Sequence, residues 1–242
     1  MKWGNISVER YQYIYAIHQS DYSDFDKLCF ALCGLTGKTE RQLNKISPGK
    51  FAILSAQAER LFQSMEQPPS NKINGHRFIH HVKQSTLGQY IEVNHFVKGG
   101  TVENLHYLAA SICRPQFPYS FIKKRSHSER AQHILSFPFI PVVNTVGVFL
   151  QSMEEFNKSY SGLFGIDPED SEQEEPPPHP FNDKYGWLYS AKKVAEYEGI
   201  TLEAAFNLPT PRAFNDLAYL KALGQYESEL NKQAQTNPNG LQ

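Results

Sequence analysis

Apolar residues recur three or four positions apart over most of this chain, which is the spacing of amphipathic helices. In the first segment the pattern predicts helices that begin near Ser7, Ser23 and Ser47. Serine is favoured just before a helix because its hydroxyl accepts a hydrogen bond from a free backbone N–H of the first turn. Gly34 is expected to end the second of these helices, since glycine tolerates the left-handed conformation found there. Residues 1–67 are therefore predicted to form an N-terminal helical unit.

A short β signal interrupts the helical pattern in NKINGHRFIHHV, residues 71–82. The pair Asn74-Gly75 favours a tight hairpin turn because both central positions need a positive φ. The alternation beyond it predicts a strand running to about Val82. Further helices are expected to begin near Thr86, Thr101, Ser128 and Val142. We predict that residues 68–164 form a central helical region with one hairpin.

Acids and prolines replace the apolar pattern in DPEDSEQEEPPPHP, residues 167–180. The acids repel one another and the prolines favour an extended backbone, so residues 165–181 are predicted to be a semi-rigid spacer, here called the tether. Three more helices are predicted over residues 182–233, with starts near Asp183, Thr201 and Thr210, followed by a polar tail at 234–242. Three short helices make a marginal core, so we expect this C-terminal module to pack on something else.

The predicted fold class is mainly α with a small β-hairpin. A helical main body is joined by the tether to the C-terminal module, whose first helix carries the apolar residues Trp187, Leu188, Ala191, Val194 and Ala195.

The charge balance argues against nucleic-acid binding. The 242 residues carry 24 Lys and Arg against 25 Asp and Glu, whereas DNA-binding proteins usually have a large basic excess because affinity depends on phosphate neutralisation. The start of the chain has no signal-peptide pattern, and no apolar run is long enough to cross a bilayer. The three cysteines are too few and too uneven for a disulfide framework, which predicts a cytosolic protein with reduced thiols.

No catalytic or cofactor motif emerges from the sequence. Cys29 and Cys33 lie four positions apart, but a closed zinc site needs four ligands at characteristic spacing. His76, His80 and His95 lack a carboxylate at a spacing such as HExxH, and the glycine pair before Thr101 lacks the phosphate-loop pattern. RSHSER places serines beside His127, but adjacency in sequence does not make a nucleophile and base. We expect a protein that is not an enzyme and holds no metal or cofactor.

The candidate functional residues are therefore interaction residues. Lys123, Lys124 and Arg125 form the densest basic patch, which is solvated surface, a contact for phosphates, or a contact for an acidic protein surface such as the tether of another copy. The remaining candidates lie in the tether and in the helix that follows it: Glu172, Glu174, Glu175, Pro177, Tyr185 and Trp187.

Three long segments of the chain carry a family resemblance. The N-terminal segment reads ISVERYQYIYAI and then DKLCFALCGLTGKTERQLNKISPGKF, with Gly34-Leu35-Thr36 and Ser47-Pro48 bounding a short helical pattern. The middle segment is STLGQYIEVNHFVKGGTVENLHYLAASICRP, and the last is KYGWLYSAKKVAEYEGITLEAAFNLPTPRAFNDLAYLKALGQYESEL. Together they are similar to the neck, tail and tail-assembly proteins of tailed bacteriophages that infect Bacteroidota, including the crAss-like phages.

The resemblance implies a non-enzymatic role in the virion, with no catalytic residues to transfer. We expect a ring subunit of the neck or tail, made in the host cytoplasm and located in the virion, whose partners are copies of itself, other neck or tail proteins and the portal. Direct DNA contact and membrane binding are disfavoured. Two alternatives stay open: a tail-assembly chaperone absent from the mature particle, and a host-directed binding module that holds one partner.

Overall fold

The computed structural model describes residues 6–63, 68–114, 126–164 and 180–236. Helices dominate these residues, and a small antiparallel sheet accompanies them, which confirms the predicted mainly α fold with a hairpin. In chain order the helices are α1 (Val8–His18), α2 (Asp24–Thr36), α3 (Glu40–Leu43), α4 (Pro48–Gln63), α5 (Leu87–Val97), α6 (Leu105–Ile112), α7 (His127–Ile134), α8 (Phe139–Ser159), α9 (Ser161–Phe164), α10 (Pro180–Glu198), α11 (Leu202–Phe206) and α12 (Thr210–Thr236).

Backbone contacts divide the chain into two compact units. The first unit comprises Met1–His80 and Glu92–Gln151, and the second comprises His81–Ile91 and Ser152–Gln242. The C-terminal helices α10, α11 and α12 thus share a unit with residues 81–91 and with the end of α8. Among the described residues, none of the helices combines the length and the apolar character that a bilayer span requires.

The first unit begins with two helices whose predicted caps are confirmed. The Ser7 hydroxyl accepts a hydrogen bond from the Arg10 backbone N–H, and the Ser23 hydroxyl accepts one from that of Asp26. The expected end of α2 at Gly34 is wrong, because the helix continues to Thr36 and ends at Gly37, whose φ is 69°. Gly34 instead lies where α2 packs closely on α1: a Cβ added there would be 2.7 Å from Cγ1 of Ile14.

The hairpin prediction is confirmed. Strand β1 (Lys72–Ile73) pairs with β2 (His76–Phe78) in a register that leaves Asn74 and Gly75 as a two-residue turn. Their φ values of 47° and 84° are the positive angles that this turn requires. A third strand that the sequence did not reveal, β3 (Cys113–Arg114), pairs with the other edge of β2. The prediction that the strand reaches Val82 is wrong, since Val82–Gln84 forms a 3₁₀ turn.

The expected start of a helix at Thr101 is also wrong. Residues 101–104 form turns after Gly100, whose φ is 98°, and α6 begins four residues later at Leu105. The Asn104 side chain is used elsewhere, because its Nδ2 donates to the Phe96 carbonyl 3.0 Å away. The turn therefore closes on the end of α5 before the next helix can begin.

The second unit is built around aromatic side chains. The ring of Phe214 on α12 lies 4.9 Å from the ring of Tyr90, 5.1 Å from that of Phe156 and 5.3 Å from that of Tyr160, centroid to centroid. Phe214 is fully buried, and its edge-to-face contacts are the arrangement that aromatic quadrupoles prefer.

A pair of buried hydroxyls fixes the start of α12. The Oγ of Ser85 lies 2.8 Å from the Oγ1 of Thr210, and the Thr210 backbone N–H donates to the Ser85 carbonyl at 2.9 Å. Because buried polar groups are costly unless they are hydrogen-bonded, these contacts hold the N-terminus of α12 at one position beside residues 81–91.

Candidate functional site

Helix α10 carries the candidate residues that the structure describes. It begins at Pro180, three residues before the predicted start at Asp183, because proline fits the first helical turn, where its missing N–H leaves no bond unmade. It ends before Gly199, as predicted, where φ is 66°. Ala191, Val194 and Ala195 lie on its buried face. The opposite face is exposed, so the helix has one packed side and one exposed side.

Trp187 belongs to the packed side. Its ring lies 5.3 Å from that of Tyr90 in an edge-to-face arrangement, and 6.2 Å from that of Phe214. Tyr90 is itself buried, and its hydroxyl donates to Oδ1 of Asn157 at 2.8 Å. Burial raises the pKa of Tyr90 to about 12. Trp187 is therefore half-buried against the aromatic core of its own unit.

Four large apolar side chains occupy the exposed side of α10. Phe181, Tyr185, Leu188 and Tyr189 each expose between 37% and 52% of their surface. The ring of Phe181 lies 5.4 Å from that of Tyr185 and 6.5 Å from that of Tyr189, so the three rings are neighbours. Residues at i, i+4 and i+8 lie along one side of a helix, and these side chains form a continuous stripe.

Lysines line the same stripe. The Nζ of Lys184 lies 5.2 Å from the ring centroid of Tyr185, and the Nζ of Lys193 lies 5.8 Å from that of Tyr189, within the range of cation–π attraction. Lys192, which is exposed, follows Leu188 by one helical turn. The side chain of Lys193 also bonds Glu196 at 2.9 Å, and this hydrogen bond raises the pKa of the lysine.

We call this surface, from Phe181 to Glu196 on the exposed side of α10, the α10 face. Among the side chains that the structure describes, it carries three lysines, Lys184, Lys192 and Lys193, and one glutamate, Glu196, whose formal charges sum to +2. Aromatic side chains are enriched at protein interfaces, although lysines are depleted there, and exposed apolar patches mark binding surfaces. The arrangement suits recognition of a partner that offers apolar surface and negative charge.

A second group of exposed aromatics lies further along the same unit. Tyr197 and Tyr219 face each other with ring centroids 5.5 Å apart, and Tyr226 and Leu230 are exposed on the distal part of α12. Arg212 bonds Glu198 through its Nε at 2.7 Å and also through an Nη, which ties the end of α10 to the start of α12. These contacts hold the two helices, and the exposed tyrosines on them, in fixed positions.

The structure describes two of the predicted interaction residues and places them on different sides of α10. Tyr185 lies on the α10 face, whereas Trp187 lies on the packed side of the same helix. Leu188 is also exposed, because helical rotation places it on the same side as Tyr185. The other candidates, Glu172, Glu174, Glu175, Pro177, Lys123, Lys124 and Arg125, lie outside the described residues.

The sequence interpretation missed Phe181, Lys184 and Tyr189 as members of the surface. The signal that could have found them is the recurrence of aromatic residues every four positions, at 181, 185 and 189, with lysines between and after them. Hydrophobicity alone does not separate the two sides of this helix, because both sides carry aromatic residues.

The cysteines are in environments that favour the protonated thiol. Burial is the main cause that raises the pKa of Cys29, Cys33 and Cys113, to about 11 for Cys113. A thiolate is the form that binds metal or attacks an electrophile, so neutral pH disfavours both at these positions. Within the described ranges no three His, Cys, Asp or Glu side chains are grouped in a way that could hold a metal ion.

The histidines named from sequence lie in separate structural contacts. Nε2 of His80 lies 3.1 Å from the Ser70 carbonyl, the ring of His76 packs on those of His133 and Phe137, and the ring of His95 packs on that of Phe96. Near the glycine turn, the Glu103 carboxylate lies against Gly100. A carboxylate in that place opposes the binding of an anion by the turn.

His127 does have a serine and a glutamate as neighbours. Its Nε2 lies 3.0 Å from Oγ of Ser111 and 3.7 Å from a carboxylate oxygen of Glu92. In a catalytic triad the carboxylate orients the histidine through the nitrogen that does not face the nucleophile. Here both contacts are made by the same nitrogen, and Ser111 is buried inside α6, so the group has the geometry of a packing contact.

No family model matches this chain, and no curated protein or solved structure matches it.

Proposed function

We propose that this chain is a structural, non-enzymatic subunit of a homo-oligomer in the neck or tail of a tailed bacteriophage, and that the α10 face is one of the surfaces by which its copies associate. The observation that carries the proposal is the stripe of exposed aromatic and lysine side chains on a helix whose other side is firmly packed. The resemblance of the three sequence segments to phage neck and tail proteins supplies the setting.

The packing of Trp187 refines which residues would meet the neighbour. Trp187 packs on Tyr90 and Phe214 of its own chain. The exposed residues Phe181, Tyr185 and Tyr189 are therefore the ones that would contact a neighbouring copy. Exposed aromatics that are already held by neighbouring rings lose little conformational freedom on binding, which favours association.

Solution mass measurements test this proposal directly. Light scattering after gel filtration, and native mass spectrometry, would give the mass of the full chain against its monomer mass of 27.6 kDa. We expect a multiple of that mass for the wild type and a shift toward monomer for the double variant Tyr185→Ser/Tyr189→Ser. Tyr13→Ser is the matched control, because Tyr13 is comparably exposed, at 46%, but lies on α1 in the first unit. A wild type that stays monomeric at working concentrations would refute the proposal.

The proposed location in the phage particle is tested separately. Quantitative mass spectrometry of purified, DNA-filled particles, normalised to the portal protein, would count the copies in each virion. A fixed ratio near one or a small multiple supports a ring component. Absence from particles, together with abundance in infected cells, would replace the ring subunit by the assembly chaperone or the host-directed module.

A further inference from the structure

We propose that the ligand of the α10 face is the acidic, proline-rich tether of a neighbouring copy of this chain. The inference rests on the proposed homo-oligomer and names the surface that the α10 face would meet. A ring needs such a second surface, because a heterologous contact joins two different patches of the same protein.

Charge complementarity is the first argument. Residues 167–175 of the tether contain six acids, Asp167, Glu169, Asp170, Glu172, Glu174 and Glu175, and no base. The α10 face carries the opposite sign, with Lys184 and Lys192 exposed and outside the pairing that ties Lys193 to Glu196. Opposite potentials on two surfaces favour their encounter and fix their register.

The prolines supply the second argument. Proline-rich segments in the polyproline II form dock against aromatic side chains, because the rings pack on the pyrrolidines and the segment loses little entropy on binding. In that form a run of five residues would span about 12 Å, as four steps of about 3.1 Å. Along α10, Phe181 and Tyr189 are separated by about 12 Å, at about 1.5 Å per residue. The run from Glu175 to His179, which precedes the helical Pro180, would thus match the length of the aromatic stripe.

The backbone restrictions of residues 175–179 favour the tether of a neighbouring copy over that of the same chain. Glu175, Pro176, Pro177 and His179 each precede a proline, which disfavours helical backbone at these positions, and the ring of Pro178 fixes its φ. This run joins α10 directly at Pro180. To reach the rings of its own helix the chain would have to reverse direction within that restricted run, whereas the tether of another copy approaches without any reversal.

A charge exchange in the full-length protein distinguishes the two arrangements. One variant reverses all six acids of the tether (Asp167→Lys/Glu169→Lys/Asp170→Lys/Glu172→Lys/Glu174→Lys/Glu175→Lys), and the other reverses the face (Lys184→Glu/Lys192→Glu). We expect each variant alone to lose the wild-type oligomer, with association at least about 10-fold weaker, because its face and tether then carry like charges. We expect the equimolar mixture to recover the wild-type mass as a mixed oligomer, since the face of each variant then meets the opposite charge on the tether of the other.

The control variant is Lys45→Glu/Lys50→Glu, which makes the same charge change at two exposed lysines of the first unit and should leave the oligomer intact. Circular dichroism confirms that each variant is folded. If both reversed variants stay oligomeric, or if their mixture stays dissociated, the tether is not the ligand, while the wild-type oligomer still supports the proposed function. A monomeric wild type would instead overturn the proposed function itself, and this inference with it.

Discussion

Replacing Gly34 by alanine tests the close packing of α1 on α2. An added Cβ would lie 2.7 Å from Cγ1 and 3.1 Å from Cδ1 of Ile14, and 3.4 Å from Cδ1 of Tyr13. Apolar contacts normally lie near 4 Å, so the helices or the Ile14 side chain must move by about 1 Å. Ile14 is only 6% exposed and has little room to move. Overpacking of this kind costs about 1–3 kcal/mol, against a gain of about 1 kcal/mol from the higher helix propensity of alanine.

We therefore expect Gly34→Ala to lower the free energy of unfolding by up to about 2 kcal/mol, measured by urea denaturation followed by circular dichroism. Gly147→Ala is the control, because Gly147 is an exposed position inside α8 with no atom within 4 Å of its added Cβ. That variant should raise the free energy of unfolding by about 0.5–1 kcal/mol, through helix propensity alone.

A double-mutant cycle tests whether Gly34 leaves space for the Ile14 side chain. Ile14→Ala removes both of the Ile14 atoms that the new Cβ would meet, so in that background Gly34→Ala should become stabilising, by about 0.5–1 kcal/mol. The change of sign is the decisive result. If Gly34→Ala stabilises the wild-type background as much as Gly147→Ala does, or stays destabilising in the Ile14→Ala background, the glycine is not leaving space for Ile14 and the explanation fails.

Three further changes have definite expected results. Tyr90→Phe removes the hydrogen bond to Asn157 and leaves its amide oxygen short of a donor, so urea denaturation should show a loss of about 1–2 kcal/mol, and an unchanged midpoint would contradict the role of this contact. Gly75→Ala forces a side chain into the positive φ of 84° in the hairpin, which should cost about 1–2 kcal/mol and be visible as a lower melting temperature. Burial lowers the pKa of His106 and of His127, the latter against an opposing effect of Glu92. At mildly acidic pH these two histidines therefore bind more protons in the unfolded chain than in the folded chain. The free energy of unfolding should therefore fall as the pH drops below about 6.5, and a double His→Gln variant should flatten that dependence in denaturation measured from about pH 7.5 to 5.

Local chemistry explains which parts of the fold could be predicted from sequence. Ser7, Ser23 and Thr201 cap helices, and Asn74-Gly75 makes the hairpin turn, because these contacts lie within a few residues of one another along the chain. The role of Gly34 could not be found in the same way. Whether a glycine ends a helix or admits a neighbouring helix depends on what packs against it, and Ile14 lies twenty positions away.

The candidate site was predictable only in part for a similar reason. Periodicity correctly indicated an amphipathic helix around Trp187, but both sides of α10 carry aromatic residues. The packed side is chosen by Tyr90 and Phe214, which come from segments nearly a hundred positions before and about thirty positions after it. Strand β3 was missed because two residues at the end of α6 have no period, and they become a strand only by pairing with β2.

The position of Trp187 also gives the protein a built-in optical probe. The chain has two tryptophans, of which Trp3 lies outside the described residues, so a Trp3→Phe protein would carry a single indole, against Tyr90 in the second unit. Its emission would follow the loss of that aromatic core alone, whereas helicity follows the whole chain. Coincident urea transitions by the two signals would show that the units unfold as one cooperative body, and separated transitions would assign a stability to each. In a Gly34→Ala background, the same emission would show whether a loss of stability in the first unit changes the unfolding transition of the second.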